Sequence, residues 1–170
     1  MPDGSDHPAI RRVVEAAARS GITLDVRVFG ESTHTAADAA TAIGCDLGQI
    51  VKSLVFVAPD GARLEPILCL VSGSNRVDIA RLAQATGRSG IRRATAREAN
   101  ELTGFTIGGI PPLGHATPVR VVMDPELERY PIVWAAAGTP TAVFGLAPEI
   151  LRTLASAEVL PIAAASPAPA

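Results

Sequence analysis

Two short stretches of this sequence carry the residues best suited to chemistry, and the first contains a lone lysine. Lys52 stands at the head of the apolar run VKSLVF, residues 51–56, in a chain of 170 residues that has no other lysine. An ammonium group is a compact point charge where a guanidinium is a broad fork, so a small pocket could require this residue type. The alternative is a strand-end lysine whose stem covers the core while its amine stays in water.

The second stretch is the loop GGIPPLGH, residues 108–115. Its two prolines fix two φ angles and remove two donors, and its three glycines allow positive φ and close backbone approach. A stiff loop of this kind exposes a few N–H groups, which could cradle an oxyanion or an ester oxygen. The candidate donors are Gly108, Gly109, Ile110 and Gly114. The alternative is a tight structural turn between a helix and a strand.

Several kinds of catalytic site are absent from the sequence. It contains neither a GxSxG nucleophile motif nor an HExxH zinc motif. GGIPPLG has the wrong glycine spacing for dinucleotide binding, and its prolines block a helix start. The histidines and cysteines show no metal-ligand spacing, so we expect neither a metal nor a cofactor. They are His7, His34, His115, Cys45 and Cys69.

The composition is that of a globular, soluble protein. Hydrophobic residues make up 48% of the chain and charged residues 19%. No apolar run reaches the roughly 18 residues that a membrane span needs, and the N-terminus has no secretion signal. Two cysteines outside a CxxC pattern fit a reducing compartment. These features predict a cytoplasmic protein without a membrane segment.

Positive charge is concentrated in the arginine-rich segment, residues 76–97, while the net charge of the chain is −2. Six arginines stand there against Asp78: Arg76, Arg81, Arg88, Arg92, Arg93 and Arg97. This segment is either an ordinary solvated surface or a local patch that contacts phosphate. In the second case Arg76, Arg92 and Arg93 are the candidates for phosphate contact.

Hydrophobic periodicity and end signals predict alternating helices and strands. The predicted helices cover residues 8–20, 36–43, 77–86, 95–102 and 147–154. The predicted strands cover residues 24–29, 52–58, 64–71, 119–123, 132–136, 141–146 and 159–163. The second and third strands form a hairpin around PDG, residues 59–61, with a loop longer than two residues. This order predicts one α+β domain over residues 8–163, a flexible tail at 1–7 and a disordered tail at 164–170.

The two motifs, in this order and at this separation, resemble the YbaK family. Its members are free-standing relatives of the editing domain of bacterial prolyl-tRNA synthetase. The resemblance rests on the lysine of VKSLVF and on TGFTIGGIPPLGH, residues 103–115, and it covers roughly residues 10–161. It implies a curled, mixed, barrel-like β-sheet surrounded by helices.

The resemblance also implies a function, which is hydrolysis of mischarged aminoacyl-tRNA in trans. The expected substrate is tRNA for proline carrying a small amino acid such as alanine, serine, threonine or cysteine. The expected partners are the 3′-terminal adenosine of that tRNA and, transiently, a synthetase. The family's essential lysine falls on Lys52, and its late pocket glycine falls on Gly138. Its glycine-proline loop falls on Gly108, Gly109, Ile110, Pro111 and Gly114.

In this hypothesis Lys52 meets the phosphate or ribose of the terminal adenosine, and N–H groups at Gly109 and its neighbours stabilise the developing charge. The loop from Phe29 to Thr35 forms a wall of the amino-acid pocket. Thr33 and Thr35 either face the substrate, which favours a small or polar amino acid, or only cap the next helix. His115 either touches the adenosine or closes its loop. Cys45, Cys69 and Trp134 are expected in the core.

Two other functions stay open from the sequence. One is a tRNA- or nucleotide-binding module without catalysis, and the other is a hydrolase of a small ester other than aminoacyl-tRNA. Arginines of the arginine-rich segment beside Lys52 would favour tRNA, whereas arginines pointing elsewhere would leave the small ester open.

Overall fold

The computed structural model describes residues 4–30, 33 and 35–165. All five predicted helices are present in this part of the chain, with ends within two residues of the prediction. They are α1 Pro8–Ala18, α2 Ala36–Ile43, α3 Ile79–Thr86, α4 Ala96–Thr103 and α5 Pro148–Ala155. Two short 3-10 helices lie between these helices, at Leu47–Gln49 after α2 and at Pro125–Arg129 after α4.

The helix starts near the cavity described below are set by local capping. Thr35 and Thr95 each accept the N–H of the residue three positions later, and the carboxylates of Asp38 and Glu98 accept in return. These reciprocal bonds satisfy N–H groups that a helix start otherwise leaves free. Both α2 and α4 therefore begin at a capping box.

The described strands form three sheets. Their bounds are β1 Val26–Val28, β2 Val51–Asp60, β3 Arg63–Ser72, β4 Asn75–Val77, β5 Arg92–Arg93, β6 Arg120–Met123, β7 Val133–Ala136, β8 Ala142–Leu146, β9 Glu158–Val159 and β10 Ala163–Ala165. The main sheet is mixed, with the order β5-β2-β3-β6-β9. Its parallel pairs are β3 with β6 and β6 with β9. The other two sheets are β1-β8-β7 and β10-β4, both antiparallel.

The predicted hairpin is present, but its loop is shorter than expected. Pro59 and Asp60 stay in β2, and Asp60 pairs with Arg63, so only residues 61 and 62 form the turn. Gly61 has a φ of +61° at the first of these two positions. Two-residue hairpin turns favour glycine there, which explains the tight connection.

The predicted barrel-like sheet is not found, because the described strands are divided among three open sheets. The main sheet ends on two very short strands, β5 and β9, and a single bridge from Ile50 to Trp134 joins β2 to the second sheet. The prediction of a single last strand over residues 159–163 is wrong. It is divided into β9 and β10 around Pro161, which has no N–H to donate to a ladder.

The tails are partly outside the described residues, which exclude 1–3 and 166–170. In the described part, His7 precedes α1 and its side chain accepts the N–H of Ala9. Ala164 and Ala165 belong to β10, which pairs with β4. The ordered chain thus extends two residues beyond the domain boundary predicted at 163.

Strand β2 separates two parts of the core. Val51, Val55 and Val57 lie on the face that packs into the main apolar cluster, together with Val13 of α1. The alternate residues, including Phe56, face a second cluster that contains Leu82 of α3. The two faces follow from the period of two in a strand, and they place Lys52 on the Phe56 side.

Candidate functional site

A cavity of about 270 Å³ lies along the edge of β2 that faces away from β3. On that edge β2 pairs with β5 only at Phe56 and Val57, and Ile50 is bridged to Trp134. Between these two points β2 is not paired with another strand in the described part of the chain. The cavity occupies this gap, and its far walls come from α2, β7, β8 and the loop at Gly108.

Lys52 lines this cavity, and its amine is held by the backbone at the start of β4. It is half-buried, and its Nζ donates a hydrogen bond to the backbone carbonyl of Asn75. The Asn75 side-chain amide donates to the Asp124 carboxylate at 2.9 Å, and the Ser72 N–H donates to the same oxygen at 3.3 Å. Asp124 is only 2% exposed. A buried carboxylate therefore anchors the turn that holds the lysine.

The electrostatics of the mouth are dominated by two cations. Arg93 lies directly across from Phe56 on β5, with its guanidinium carbon 5.7 Å from that ring, and it also lines the cavity. Partial burial lowers the pKa of Lys52 below its ordinary value, the Arg93 charge lowers it further, and Asp124 partly opposes both. An anion between Lys52 and Arg93 would relieve their repulsion.

The glycine-proline loop supplies backbone to the cavity wall through Gly108 and Ile110. Gly108 has a φ of +99°, a conformation that residues with a side chain rarely adopt. The Gly109 N–H donates to the Thr106 carbonyl at 3.0 Å, so it serves a turn. A Cβ on Gly109 would lie 2.7 Å from Thr139 Cα. Gly109 thus allows this loop to pack against the chain that follows Gly138.

The rest of the loop is braced against itself and against α1. The Nε2 of His115 donates to the Pro111 carbonyl at 2.7 Å, and its ring meets Phe105 edge-on. Burial lowers the pKa of His115, which keeps the imidazole neutral. Gly114 packs on α1, where an added Cβ would lie 3.4 Å from Ala16. Of the alternatives predicted for His115, this geometry supports loop closure, and His115, Pro111 and Gly114 lie outside the cavity lining.

Gly138 also lies outside the lining and packs on the start of α1. It has a φ of +106°, and a Cβ there would lie 2.8 Å from the Ala9 carbonyl oxygen. The residues directly after it, Thr139 and Pro140, do line the cavity. The position of Gly138 thus directs the following residues to the wall.

The predicted threonine wall is present, but its hydroxyls are engaged. Thr35 lines the cavity and also caps α2, accepting the Asp38 N–H at 3.0 Å. Thr33 lines the cavity and donates to the Pro140 carbonyl at 2.6 Å. Phe29 lies outside the lining, and its N–H donates to the Thr141 carbonyl. His34 lies outside the described residues.

The arginines of the arginine-rich segment do not gather at the cavity. Arg93 lines the cavity, whereas Arg92 makes two 2.8 Å bonds to Glu98 and Arg76 is exposed on β4. Of the other arginines, Arg88 pairs with Glu65, Arg81 donates to the Ala163 carbonyl, and Arg97 pairs with Glu101. The segment is thus mostly an ordinary surface with one arginine at the cavity mouth.

Sequence reasoning missed three groups of lining residues. Ser53 follows Lys52, and its Oγ is buried without a hydrogen-bond partner in the described structure. Trp134 was assigned to the core, but it is half-buried at the cavity, with the Arg27 guanidinium 4.7 Å above its ring. Small residues complete the walls: Ala36, Ala39, Ala135, Ala136 and Ala142. A polar residue at an apolar-face position of β2 was the signal that could have identified Ser53.

Neither cysteine provides an activated thiol. Burial raises the pKa of Cys69 to about 12, and burial followed by the Asp46 charge raises that of Cys45. In the described ranges no group of three or more His, Cys, Asp or Glu side chains could hold a metal ion. Over the same residues, no helix has the length and apolarity needed to cross a bilayer.

Comparisons with known proteins agree on one family. The profile described as "Aminoacyl-tRNA editing domain" matches residues 30–154. A Ser/Thr-tRNA deacylase of Escherichia coli (strain K12), ProXp-y, is 31% identical over 75% of this chain and 77% of its own. EbsC of Enterococcus faecalis, a candidate Cys-tRNA(Pro)/Cys-tRNA(Cys) deacylase, is 25% identical over 76% and 77%. A solved structure of a candidate trans-editing enzyme for prolyl tRNA synthetase is 46% identical, covers 91% and 96%, and superposes with a TM-score of 0.84.

Proposed function

Because the chain belongs to the aminoacyl-tRNA editing domain family, the YbaK-type family, we propose that it is a trans-editing deacylase that hydrolyses the ester of mischarged tRNA. The observation that carries this proposal is the cavity in which Lys52, Arg93 and the Gly108–Ile110 backbone converge. The relatives named as deacylases of Ser-, Thr- and Cys-tRNA support a small amino acid as the group removed. We propose tRNA for proline as the carrier and, because charged tRNA is used in translation, the cytoplasm as the location.

In the proposed complex, the 3′-terminal adenosine lies at the cavity mouth. Its phosphate or ribose contacts Lys52, and Arg93 adds a second positive charge beside the same phosphate. The aminoacyl group extends inward between α2, β7 and β8, where alanines leave room for a small side chain. A transient contact with a synthetase would deliver the tRNA.

The chemistry needs no side-chain nucleophile, because an aminoacyl ester is already activated. A water molecule attacks the carbonyl carbon, and the oxygen of the tetrahedral intermediate carries the negative charge. In the described structure the Gly108 and Ile110 N–H groups have no hydrogen-bond partner, so we assign them as the donors to that oxygen. The Gly109 N–H, predicted for this role, instead stabilises the turn that presents them. Collapse of the intermediate breaks the ester C–O bond and releases the amino acid, and the ribose oxygen takes up the proton that the attacking water gives up.

The test is release of labelled amino acid from Ala-, Ser-, Thr- and Cys-tRNA for proline. Wild type should release at least one, and Lys52→Ala should reduce the rate by roughly 100-fold or more, since positioning and charge stabilisation provide the acceleration. Lys52→Arg should restore little of the rate of release, because the broad guanidinium does not fit the half-buried position of the lysine amine. Arg97→Gln is the matched control, because Arg97 is exposed and pairs with Glu101. No release by folded wild-type protein would refute the proposal.

A small-ester hydrolase is the second candidate, because most of the arginine-rich segment is engaged away from the cavity. This alternative predicts that serine and alanine methyl esters are hydrolysed as fast as the corresponding tRNA esters. It also predicts that uncharged tRNA does not inhibit. Inhibition by uncharged tRNA that weakens steeply with salt would instead support the tRNA substrate.

A further inference from the structure

Ser53 combines three features that no other described residue of the cavity shares. It lines the cavity, its Oγ has no solvent contact, and that Oγ has no hydrogen-bond partner in the described structure. Buried hydroxyls in folded proteins are normally paired, and an unpaired one costs stability. An unpaired hydroxyl at a cavity wall points to a ligand group that completes its bonding.

The position of Ser53 on β2 explains why the described part of the chain supplies no partner for its hydroxyl. Ser53 lies on the same strand face as Val51 and Val55, which are 5% and 4% exposed and belong to the main core cluster. Its cross-strand neighbour on β3 is Leu70, which is fully buried. The surroundings are therefore apolar on every side except the cavity. Because the Oγ has no solvent contact in this structure, it does not face the open cavity here, and a rotation about the Cα–Cβ bond to another staggered position would bring the hydroxyl to a ligand.

The threonine hydroxyls expected to contact the amino acid, and two others near the cavity, already have partners. Thr33 donates its proton to the Pro140 carbonyl, and Thr35 accepts the Asp38 N–H that starts α2. Thr139 and Thr141 lie 3.4 Å apart, oxygen to oxygen. Ser53 differs from these threonines, because both its proton and its lone pairs are uncommitted, whereas Thr33 has used its proton and Thr35 already accepts a backbone N–H.

The chemistry of the walls selects the group that Ser53 would meet. A substrate ammonium beside Ser53 would be buried among alanines and valines, and it would lie near the positive charges of Lys52 and Arg93. A neutral hydroxyl costs far less to bury and can both donate to and accept from a serine. We propose that Ser53 determines amino-acid specificity by hydrogen-bonding the side-chain hydroxyl of the aminoacyl group. This inference rests on the proposed deacylase function.

The first experiment compares two substrates that differ by one hydroxyl, Ser-tRNA and Ala-tRNA for proline. In Ser53→Ala, kcat/KM for Ser-tRNA should fall about tenfold relative to Ala-tRNA, which corresponds to one neutral hydrogen bond. Ser53→Thr retains the hydroxyl and should retain the Ser-to-Ala ratio. Thr33→Val, the matched control on the opposite wall, should leave the ratio unchanged.

Two results would overturn the inference. One is a Ser-to-Ala ratio that is the same in wild type and Ser53→Ala, including the case in which both rates fall equally. The other is a ratio that changes in Thr33→Val instead, which would assign the hydroxyl contact to the threonine wall. Thermal unfolding of each variant would separate either result from loss of the fold.

A binding measurement separates this inference from the proposed function. The probes are 3′-amino-3′-deoxyadenosine linked through an amide to serine or to alanine, which cannot be hydrolysed. Wild type should bind the seryl compound more tightly, and Ser53→Ala should lose that preference. Selective binding without turnover of any charged tRNA would refute the deacylase and retain the Ser53 contact. Equal binding of both compounds by wild type would refute the Ser53 contact even if charged tRNA is hydrolysed.

Discussion

Lys52 and Ser53 are neighbours in the chain and lie on opposite faces of β2, yet both line the same cavity. This is possible because no described strand pairs with that edge of β2 between its bridge to Trp134 and its pairing with β5. The cavity therefore extends around the strand edge and reaches both faces. One face presents a charge suited to phosphate, and the other presents a neutral hydroxyl among apolar walls.

The ionisation of Lys52 can be observed directly, because it is the single lysine of the chain. Protein labelled with ¹³C-lysine should show one side-chain titration, with a pKa below the ordinary value of 10.5. Burial and Arg93 both disfavour the charged form, so the ammonium is lost at a lower pH than in a free lysine. NMR titration of the ε-carbon measures this pKa.

Replacing Arg93 by Gln should raise the pKa of Lys52, because the neighbouring positive charge is removed. Arg97→Gln removes the same charge from an exposed position paired with Glu101 and should leave the titration unchanged. Equal shifts in both variants would show that the overall charge acts on Lys52, and not the contact at the cavity mouth.

Gly109 should tolerate no side chain without loss of activity. In Gly109→Ala the new Cβ meets the Thr139 backbone at 2.7 Å, so the two loops must separate. Overpacking of this kind costs about 1–3 kcal/mol, and here it also displaces the Gly108 and Ile110 N–H groups. We expect a lower Tm together with a fall in kcat/KM of about tenfold or more, since displaced oxyanion donors cost rate directly.

Gly61→Ala provides the matched control for backbone strain. Gly61 also has a positive φ, +61°, but an added Cβ would meet no atom within 4 Å, and the turn is remote from the cavity. Its Tm should fall through a strain of about 1 kcal/mol, while kcat/KM stays at the wild-type value. Unchanged activity in Gly109→Ala would show that the packing of the two loops does not position the catalytic backbone.

His115 should make the stability of the protein dependent on pH below neutrality. Burial lowers its pKa below the ordinary 6.5, so the unfolded chain takes up a proton more readily than the folded one. The contribution of His115 is complete above pH 6.5 and is lost as the pH falls through its lower folded pKa. Urea unfolding between pH 8 and pH 5 should show this decrease.

His115→Gln keeps a donor for the Pro111 carbonyl and removes the titrating ring, so its stability should vary less over this range. His7→Asn is the control, because it removes an exposed imidazole and retains a side chain that can cap α1. A pH profile flattened by His7→Asn and not by His115→Gln would assign the effect to the helix cap.

Local signals predicted most of the helices and the identity of the two motifs. Thr35 with Asp38 and Thr95 with Glu98 are three residues apart, so the interactions that start α2 and α4 are encoded within one turn. Lys52 and the GGIPPLGH loop were recognisable because their residue types and order are characteristic, and the sequence comparisons confirmed the family.

Tertiary structure alone decided which groups meet in the cavity. Arg92 and Arg93 are adjacent and chemically identical, but alternation along β5 sends only Arg93 to the Lys52 side. Lys52 is held by Asn75, 23 residues away, and Asn75 by Asp124, 49 residues further on. No local pattern encodes such contacts, because they depend on strand pairing. In the sequence Ser53 is one polar residue of a strand, and only the tertiary structure places it in the cavity lining with an unpaired hydroxyl.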